Sequence, residues 1–375
     1  MSKKAHLYIG AIIPTAFTIS SVARPLLSTA VGIPKGMLAI LPLASNAAQI
    51  LLRPIFGVLC DRYGRKIFMV LATLIYSLSY VYQSFAQTAL DMVIASFVVG
   101  MGVSMFWTSI MAYATDIASD PREGAGELLT YAFAGSVVGS FLSGIAAEFL
   151  GWRSTLMVSA FLALIAFVIS LLVEDTETKA EEIEWLRQIK MSYKLAGKTI
   201  INANSLGLWP VLRIYLPVIF MDMGFTQTII GFLITLNRII VTIVQKPSVK
   251  LSKRSWFSVF KMNLVSVSLL LIFCLSAFYK AIIPSLISYF AFSATLGLMP
   301  SPQLGEVTRD EATRGSGAGG YGMAMSISRL IASFSATFGG ALIGDEGAPI
   351  YAITMAIGIT IGISIIGKIL EYKSN

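Results

Sequence analysis

Long apolar runs separated by short charged breaks set the grain of this chain. A helix that crosses a bilayer takes about 20 mostly apolar residues. By that measure the runs at residues 6–30, 36–58, 67–87, 90–115, 128–150 and 153–173 qualify, and after a polar interval so do 199–222, 227–246, 256–278, 281–304, 320–343 and 348–370. The pattern predicts an all-α polytopic membrane protein of twelve transmembrane helices, arranged as two pseudo-symmetric six-helix bundles over residues 1–173 and 199–375. The interval 174–198 is predicted to be a cytoplasmic linker. It places acids first (Glu174, Asp175, Glu177, Glu181, Glu182, Glu184) and bases afterwards (Arg187, Lys190, Lys194, Lys198), with Trp185, Leu186 and Ile189 as the apolar side of a surface helix.

Composition agrees with that pattern. Hydrophobic residues make up 56% of the chain and charged residues 13%, where soluble domains carry roughly 25% charged residues. The net charge of +8 could suggest a nucleic-acid partner, but the bases fall in short loops on one side. With the termini and linker in the cytoplasm, that side collects Lys3, Lys4, Arg62, Arg65, Lys66, Arg122, Lys179, the bases of the linker and the run from Lys246 to Arg254, while the outside keeps only Lys35, Arg153 and Lys280. This is the positive-inside pattern, and it predicts a multi-pass protein of the cytoplasmic membrane with both termini inside and no nucleic-acid partner. Lys3 and Lys4 before an apolar run also fit a signal peptide, but the run is long and has a counterpart later in the chain, so it reads as a retained first helix. Cys60 and Cys274 belong to no metal-ligand spacing and His6 is the sole histidine, so no cofactor, metal site or histidine chemistry is implied.

The two halves read as copies. Gly32-Ile-Pro-Lys-Gly36 sits 192 residues before Gly224-Phe-Thr-Gln-Thr228, and Arg122 in Asp120-Pro-Arg-Glu-Gly124 sits 192 before Arg314 in Glu311-Ala-Thr-Arg-Gly315. Duplicated six-helix halves are an architecture of secondary transporters.

Between Gly57 and Lys66 the chain reads Gly-Val-Leu-Cys-Asp-Arg-Tyr-Gly-Arg-Lys. Gly57 and Gly64 permit a short turn, and Asp61, Arg62, Arg65 and Lys66 hold it in cytoplasmic water. The decamer, preceded by Arg53-Pro54, resembles the loop between the second and third helices of the major facilitator superfamily. The resemblance implies that Asp61, Arg65 and Asp116 form a charge relay at a cytoplasmic gate; the plainer reading is of interfacial charges. The matching stretch of the second half, Lys246 to Arg254, keeps its positive charge without the acid or the glycines, and Glu306 is a candidate partner for Arg254. Two other family motifs are degraded. Where many proton-coupled members carry an arginine before Gly-x-Gly this chain has Ser96 before Gly100-Met-Gly102, and where exporters show Gly-x-x-x-Gly-Pro it has Gly135-Ser-Val-Val-Gly139-Ser140.

With the loops assigned, Arg24, Arg53, Arg213, Arg238 and Arg329 remain at membrane depth, and every Asp and Glu falls at a helix end or in a loop. A lone charge at the bilayer centre costs at least about 2.5–3.5 kcal/mol on insertion scales. At 1.5 Å per residue Arg213 lies about 20 Å into its helix and Arg329 about 13 Å, with Arg238 also near mid-depth. Arg24 lies toward the outer end of the first run, where its side chain can snorkel. An anionic substrate would compensate these charges, since the planar guanidinium fork matches carboxylate or phosphate; backbone carbonyls are the structural alternative. The family resemblance adds that paired arginines on helices 1 and 7, or 2 and 8, bind small anions in some of its carriers. Asn46, Gln49, Trp107, Asn237 and Gln303 are candidates to complete the site beside Arg24, Arg213, Arg238 and Arg329.

The sequence therefore predicts a monomeric secondary carrier in the lipid bilayer moving a small organic or phosphorylated anion by alternating access, and not an enzyme. An exporter of hydrophobic compounds and a neutral-solute (sugar) porter are the alternatives. The gating reading predicts that Asp61→Asn slows transport in proteoliposomes while ligand affinity stays within a few fold; normal turnover in that variant removes the relay.

Overall fold

The computed structural model describes residues 4–118, 121–174, 204–251, 258–299, 314–343 and 348–374. Twelve α-helices occur among them. They are α1 (Ala5–Ala30), α2 (Ile40–Tyr63), α3 (Arg65–Phe85), α4 (Ala89–Ile117), α5 (Pro121–Leu150), α6 (Trp152–Leu171), α7 (Leu208–Asp222), α8 (Gln227–Leu251), α9 (Val259–Phe278), α10 (Ile282–Leu298), α11 (Arg314–Ile343) and α12 (Ala348–Ser374). Short 3₁₀ turns at Lys35–Met37 and Asn204–Gly207 precede α2 and α7. Ten helical stretches among the described residues are long and apolar enough to cross a membrane, and α10 is a shorter apolar helix. The linker 174–198, with Gln303, Arg254 and Glu306, lies outside the described residues from residue 175 onward.

Several helix ends depart from the apolar runs. α5 begins at Pro121 rather than 128, α11 at Arg314 rather than 320, and α12 reaches Ser374 rather than 370. Hydropathy measures only the lipid-crossing length, while a helix continues wherever its first or last turn finds favourable groups. α5 opens with Pro121, whose missing N–H is no loss at a helix start, and carries Glu123 where the helix dipole favours an acid. α7 instead begins nine residues later than expected, after the 3₁₀ turn that ends at Gly207.

The largest correction falls on the decamer. α2 runs helically to Tyr63 and α3 starts at Arg65, so Gly64 alone makes the turn, at φ 97°. Gly57 is an interior residue of α2, where an added Cβ would meet nothing within 4 Å. The side chain of Asp61 lies outside the described part.

Packing divides the chain into two compact units. One comprises Met1–Ile33, Ala44–Ile183 and Gly224–Thr235; the other comprises Pro34–Leu43, Glu184–Met223 and Leu236–Asn375. Each unit thus takes in a short stretch from the other half of the sequence, the start of α2 in one direction and the start of α8 in the other. Gly32, just before the first stretch, and Gly224, which opens the second, both adopt left-handed backbone at φ 99° and 92°, so the 192-residue repeat is matched by a repeated turn.

In the first unit α1 is the central helix, buried along most of its length and packed on α5 and α6. Hydroxyls link neighbouring helices where lipid offers no water. Thr15 donates to the Gly135 carbonyl (3.0 Å), Ser77 to the Ala160 carbonyl (3.0 Å), and Thr73 shares a hydrogen bond with Ser170 (3.3 Å). In the second unit Asn263 reaches Ser364 (3.1 Å) and Ser266 meets Thr295 (2.8 Å). Large apolar side chains such as Leu78, Phe85, Phe149, Phe161, Ile283 and Leu342 are exposed, the arrangement of a protein whose outer surface is solvated by hydrocarbon. α4 starts with a capping box, Asp91 N–H donating to Thr88 Oγ1 (3.2 Å) and Thr88 N–H to Asp91 Oδ2 (2.9 Å).

A side chain at Gly64 forces left-handed backbone on an L-residue, which costs roughly 1 kcal/mol or more. Gly64→Ala is expected to lower the melting temperature of the purified protein, while Gly57→Ala leaves it unchanged or slightly raised. Equal effects at both positions would contradict the single-residue turn.

Candidate functional site: half-buried arginines and helix-end contacts

Four of the membrane-depth arginines named as ligand candidates are half-buried: Arg24 in the first unit, and Arg213, Arg238 and Arg329 in the second. Arg24 does not snorkel. Its Nη2 donates to Ser96 Oγ at 2.6 Å, and Ser96 in turn donates to the Met92 carbonyl at 2.5 Å. The phenol of Tyr80 lies within electrostatic reach, and Arg24 Nε is buried with no hydrogen-bond partner among the described residues. The serine at the position where the family resemblance implies an arginine in many proton-coupled members thus receives a guanidinium from α1.

Arg238, on α8, has the phenol of Tyr289 on α10 within electrostatic reach, and its Nε is likewise buried with no hydrogen-bond partner among the described residues. Neither Arg24 nor Arg238 has a carboxylate partner among the described residues. Arg213 and Arg329 are engaged by neighbours of their own. Two of the candidate amides form a local pair in α2. Gln49 Nε2 reaches Asn46 Oδ1 (3.4 Å) and the Ser45 carbonyl (3.3 Å), leaving Asn46 Nδ2 and Gln49 Oε1 buried with no partner among the described residues. Asn46 lies 192 residues before Arg238, the offset of the repeat. Asn237 is fully buried and its Nδ2 donates to Ser293 Oγ on α10. Trp107 is half-buried with its ring edge-on to Phe106 at 5.5 Å, a packing contact. Tyr80, Tyr289 and Ser293 were not read as site residues from the sequence; within apolar helices their only signal was the spacing that places Tyr289 and Ser293 one turn apart.

At the end that the charge pattern assigns to the cytoplasm, Arg65 Nε meets Asp116 Oδ2 at 3.2 Å. The relay pair implied by the resemblance is therefore in contact, with Asp116 exposed. Arg62 is exposed and rests over the ring of Tyr63, 5.4 Å from its centroid. At the opposite end each unit holds its exchanged stretch by polar contacts. In the second unit Lys35 Nζ pairs with Asp222 Oδ1 at 2.8 Å, Tyr215 donates to the Gly36 carbonyl, and Ala39 N–H donates to the Tyr215 oxygen at 3.3 Å. In the first unit Glu148 Oε2 accepts the Thr228 N–H at 2.7 Å, at the positive start of α8, and Trp152 Nε1 donates to Gln227 Oε1 at 3.2 Å. These contacts leave no periodic trace along the chain, because their partners are helix-end residues and one tyrosine, Tyr215, within an apolar helix.

A sequence model described as Major Facilitator Superfamily matches residues 7–333. The chain belongs to the Major Facilitator Superfamily. It is 26% identical over 379 aligned residues to Multidrug resistance protein 1 of Bacillus subtilis (strain 168), covering 96% of this chain and 93% of that protein. It is 28% identical to the multi-drug resistance efflux pump PmrA of Streptococcus pneumoniae serotype 4 (strain ATCC BAA-334 / TIGR4), over 52% of this chain and 50% of the pump. Among solved structures, the crystal structure of the nucleoside transporter NupG superposes with a TM-score of 0.75 at 10% identity, covering 98% of each chain. At that identity the likeness speaks for the fold alone. As a member of this superfamily the chain is a multi-pass transporter embedded in the membrane and acting on a small molecule.

The exposed Arg65–Asp116 pair is worth at most about 1 kcal/mol of stability. Arg65→Gln and Asp116→Asn are thus expected to shift the melting temperature by only a few degrees. If the pair gates, each slows transport far more than that shift explains, and the double variant is no worse than either single one. Additive transport losses would show that the two charges act separately.

Proposed function

We propose that this superfamily member is a secondary carrier that moves a small organic anion across the cytoplasmic membrane by alternating access, with both termini on the cytoplasmic side and the monomer as the working unit. The observation that carries the reading is Arg238, a guanidinium inside the second unit with a buried, unmatched Nε and no carboxylate partner among the described residues. Leaving a charge so placed in a low-dielectric bundle is costly. A bound carboxylate or phosphate removes that cost and gains two parallel hydrogen bonds.

Alternating access follows the superfamily's architecture, and the Arg65–Asp116 pair, worth little to stability, suits a gate that must open. Coupling is read from what the sequence places at depth. With every carboxylate at a helix end or loop, exchange, uniport, or symport in which the substrate itself carries the proton fit better than titration of a buried acid.

The names of the two multidrug relatives favour a second reading, an exporter of hydrophobic compounds. Arginines at membrane depth oppose a cationic cargo and leave a neutral or anionic one. Ligand-dependent melting of the purified carrier, with carboxylates, organic phosphates, sugars and cationic dyes at matched ionic strength, separates the readings, because a ligand of the native state raises the melting temperature by mass action. Anions alone are expected to stabilise, and Arg238→Gln to abolish the effect. Stabilisation by dyes or sugars but not anions would move the assignment to a drug or neutral-solute carrier.

A further inference from the structure

The exposed apolar side chains of the first unit run in stripes at helical spacing. On α2, Leu51 and Ile55 are exposed four residues apart, and seven residues further the same face ends in Arg62, which is exposed too. On α3, Ile67, Leu71 and Leu78 repeat that spacing and are exposed. Gly64 alone reverses the chain between these helices, so both stripes end at one turn. At 1.5 Å per residue Arg62 lies about 10 Å beyond Ile55, a distance that takes the stripe from hydrocarbon into the headgroup layer. Tyr63 is exposed at the same turn, where membrane proteins gather aromatic rings. The Arg62 guanidinium lies 5.4 Å from the centroid of that ring, which restrains it before any partner arrives. Three other cations are answered from within the chain: Arg65 by Asp116, Lys35 by Asp222, and Arg153 by the Ser84 carbonyl at 2.7 Å. Arg62 and Lys66 have no carboxylate partner among the described residues.

We propose that the turn between α2 and α3 binds an anionic phospholipid of the cytoplasmic leaflet. The planar fork of Arg62 takes the phosphate through paired hydrogen bonds, and Lys66 adds a second positive charge beside it. The acyl chains lie along Leu51 and Ile55 on one side and Ile67 and Leu71 on the other, which are already exposed to hydrocarbon. Charge and apolar surface together select the occupant. A free phosphate leaves the stripes unused, and a zwitterionic headgroup brings its own ammonium toward two cations. Arg62 belongs to the outer surface of the first unit, so the site is independent of the cargo read from Arg238.

The experiment titrates the full chain in detergent with palmitoyl-oleoyl phosphatidylglycerol or the matching phosphatidylcholine and reads the affinity of the tightest bound lipid by native mass spectrometry. Each basic residue near an anionic headgroup is worth roughly fivefold in affinity, about 1 kcal/mol. Phosphatidylglycerol is therefore expected to bind about tenfold or more tighter than phosphatidylcholine. Arg62→Gln is expected to weaken phosphatidylglycerol about fivefold without changing phosphatidylcholine, and Arg62→Gln with Lys66→Gln to bring the two lipids level. Tyr63→Leu, which keeps both charges, costs a smaller factor. Lys280→Gln removes an exposed base from the far end of the helices and is expected to change nothing. Equal affinity for the two lipids in the unaltered chain overturns the site, as does an equal loss in Lys280→Gln, which would show a diffuse effect of net charge. Displacement of the bound lipid by glycerol phosphate at the same concentration would show a soluble-anion site and overturn the lipid assignment.

Discussion

Lipid gives the backbone nothing to bond to, and every level of this structure follows from that constraint. Each N–H and C=O that crosses the hydrocarbon has to be satisfied within its own segment, which makes helices the only local structure available to the apolar runs. Side chains then face a reversed problem. Burial of apolar area drives no association when lipid is as apolar as leucine, so helices are joined by close packing and by hydroxyls that borrow a neighbour's carbonyl. Thr15 on Gly135 and Ser77 on Ala160 are contacts of this kind. The same constraint makes an unmatched polar atom informative, because in this solvent it cannot fall back on water.

The helices were legible in the sequence because their signal is a length of apolar residues that chemistry fixes within narrow limits. The repeat was legible for a related reason: Gly32 and Gly224 recur 192 residues apart because both turns need left-handed backbone. The charged decamer has the composition of a loop but is mostly helical. Charged residues in cytoplasmic water can remain helical, and α2 continues through them until Gly64 permits the reversal. The exchanged stretches 34–43 and 224–235 could not be foreseen, since contacts of helix ends depend on the packing of whole bundles and leave no periodic trace.

For the site, sequence supplied which charges lie deep but not what they touch. Arg24 and Arg238 looked alike as lone arginines in apolar helices, and the structure separates them. Arg24 is held by Ser96, whose own hydrogen goes to the Met92 carbonyl, so its guanidinium already has a fixed neighbour on α4. Arg238 has the phenol of Tyr289 within electrostatic reach and no hydrogen-bond partner for its buried Nε among the described residues. A guanidinium fixed to a neutral hydroxyl positions helices; one beside an aromatic ring, still short of an acceptor, is the better anion anchor.

A positively charged subsite and a set of multidrug relatives pull in opposite directions only if selectivity is taken to follow ancestry. On the reading proposed above, gating rests on the Arg65–Asp116 pair at helix ends and cargo on side chains at depth such as Arg238, which are different residues. On that reading relatives can share the machinery of opening while changing cargo through a few side chains at depth. Reading selectivity from unmatched atoms at depth, and movement from paired charges at the ends, keeps these two questions physically separate.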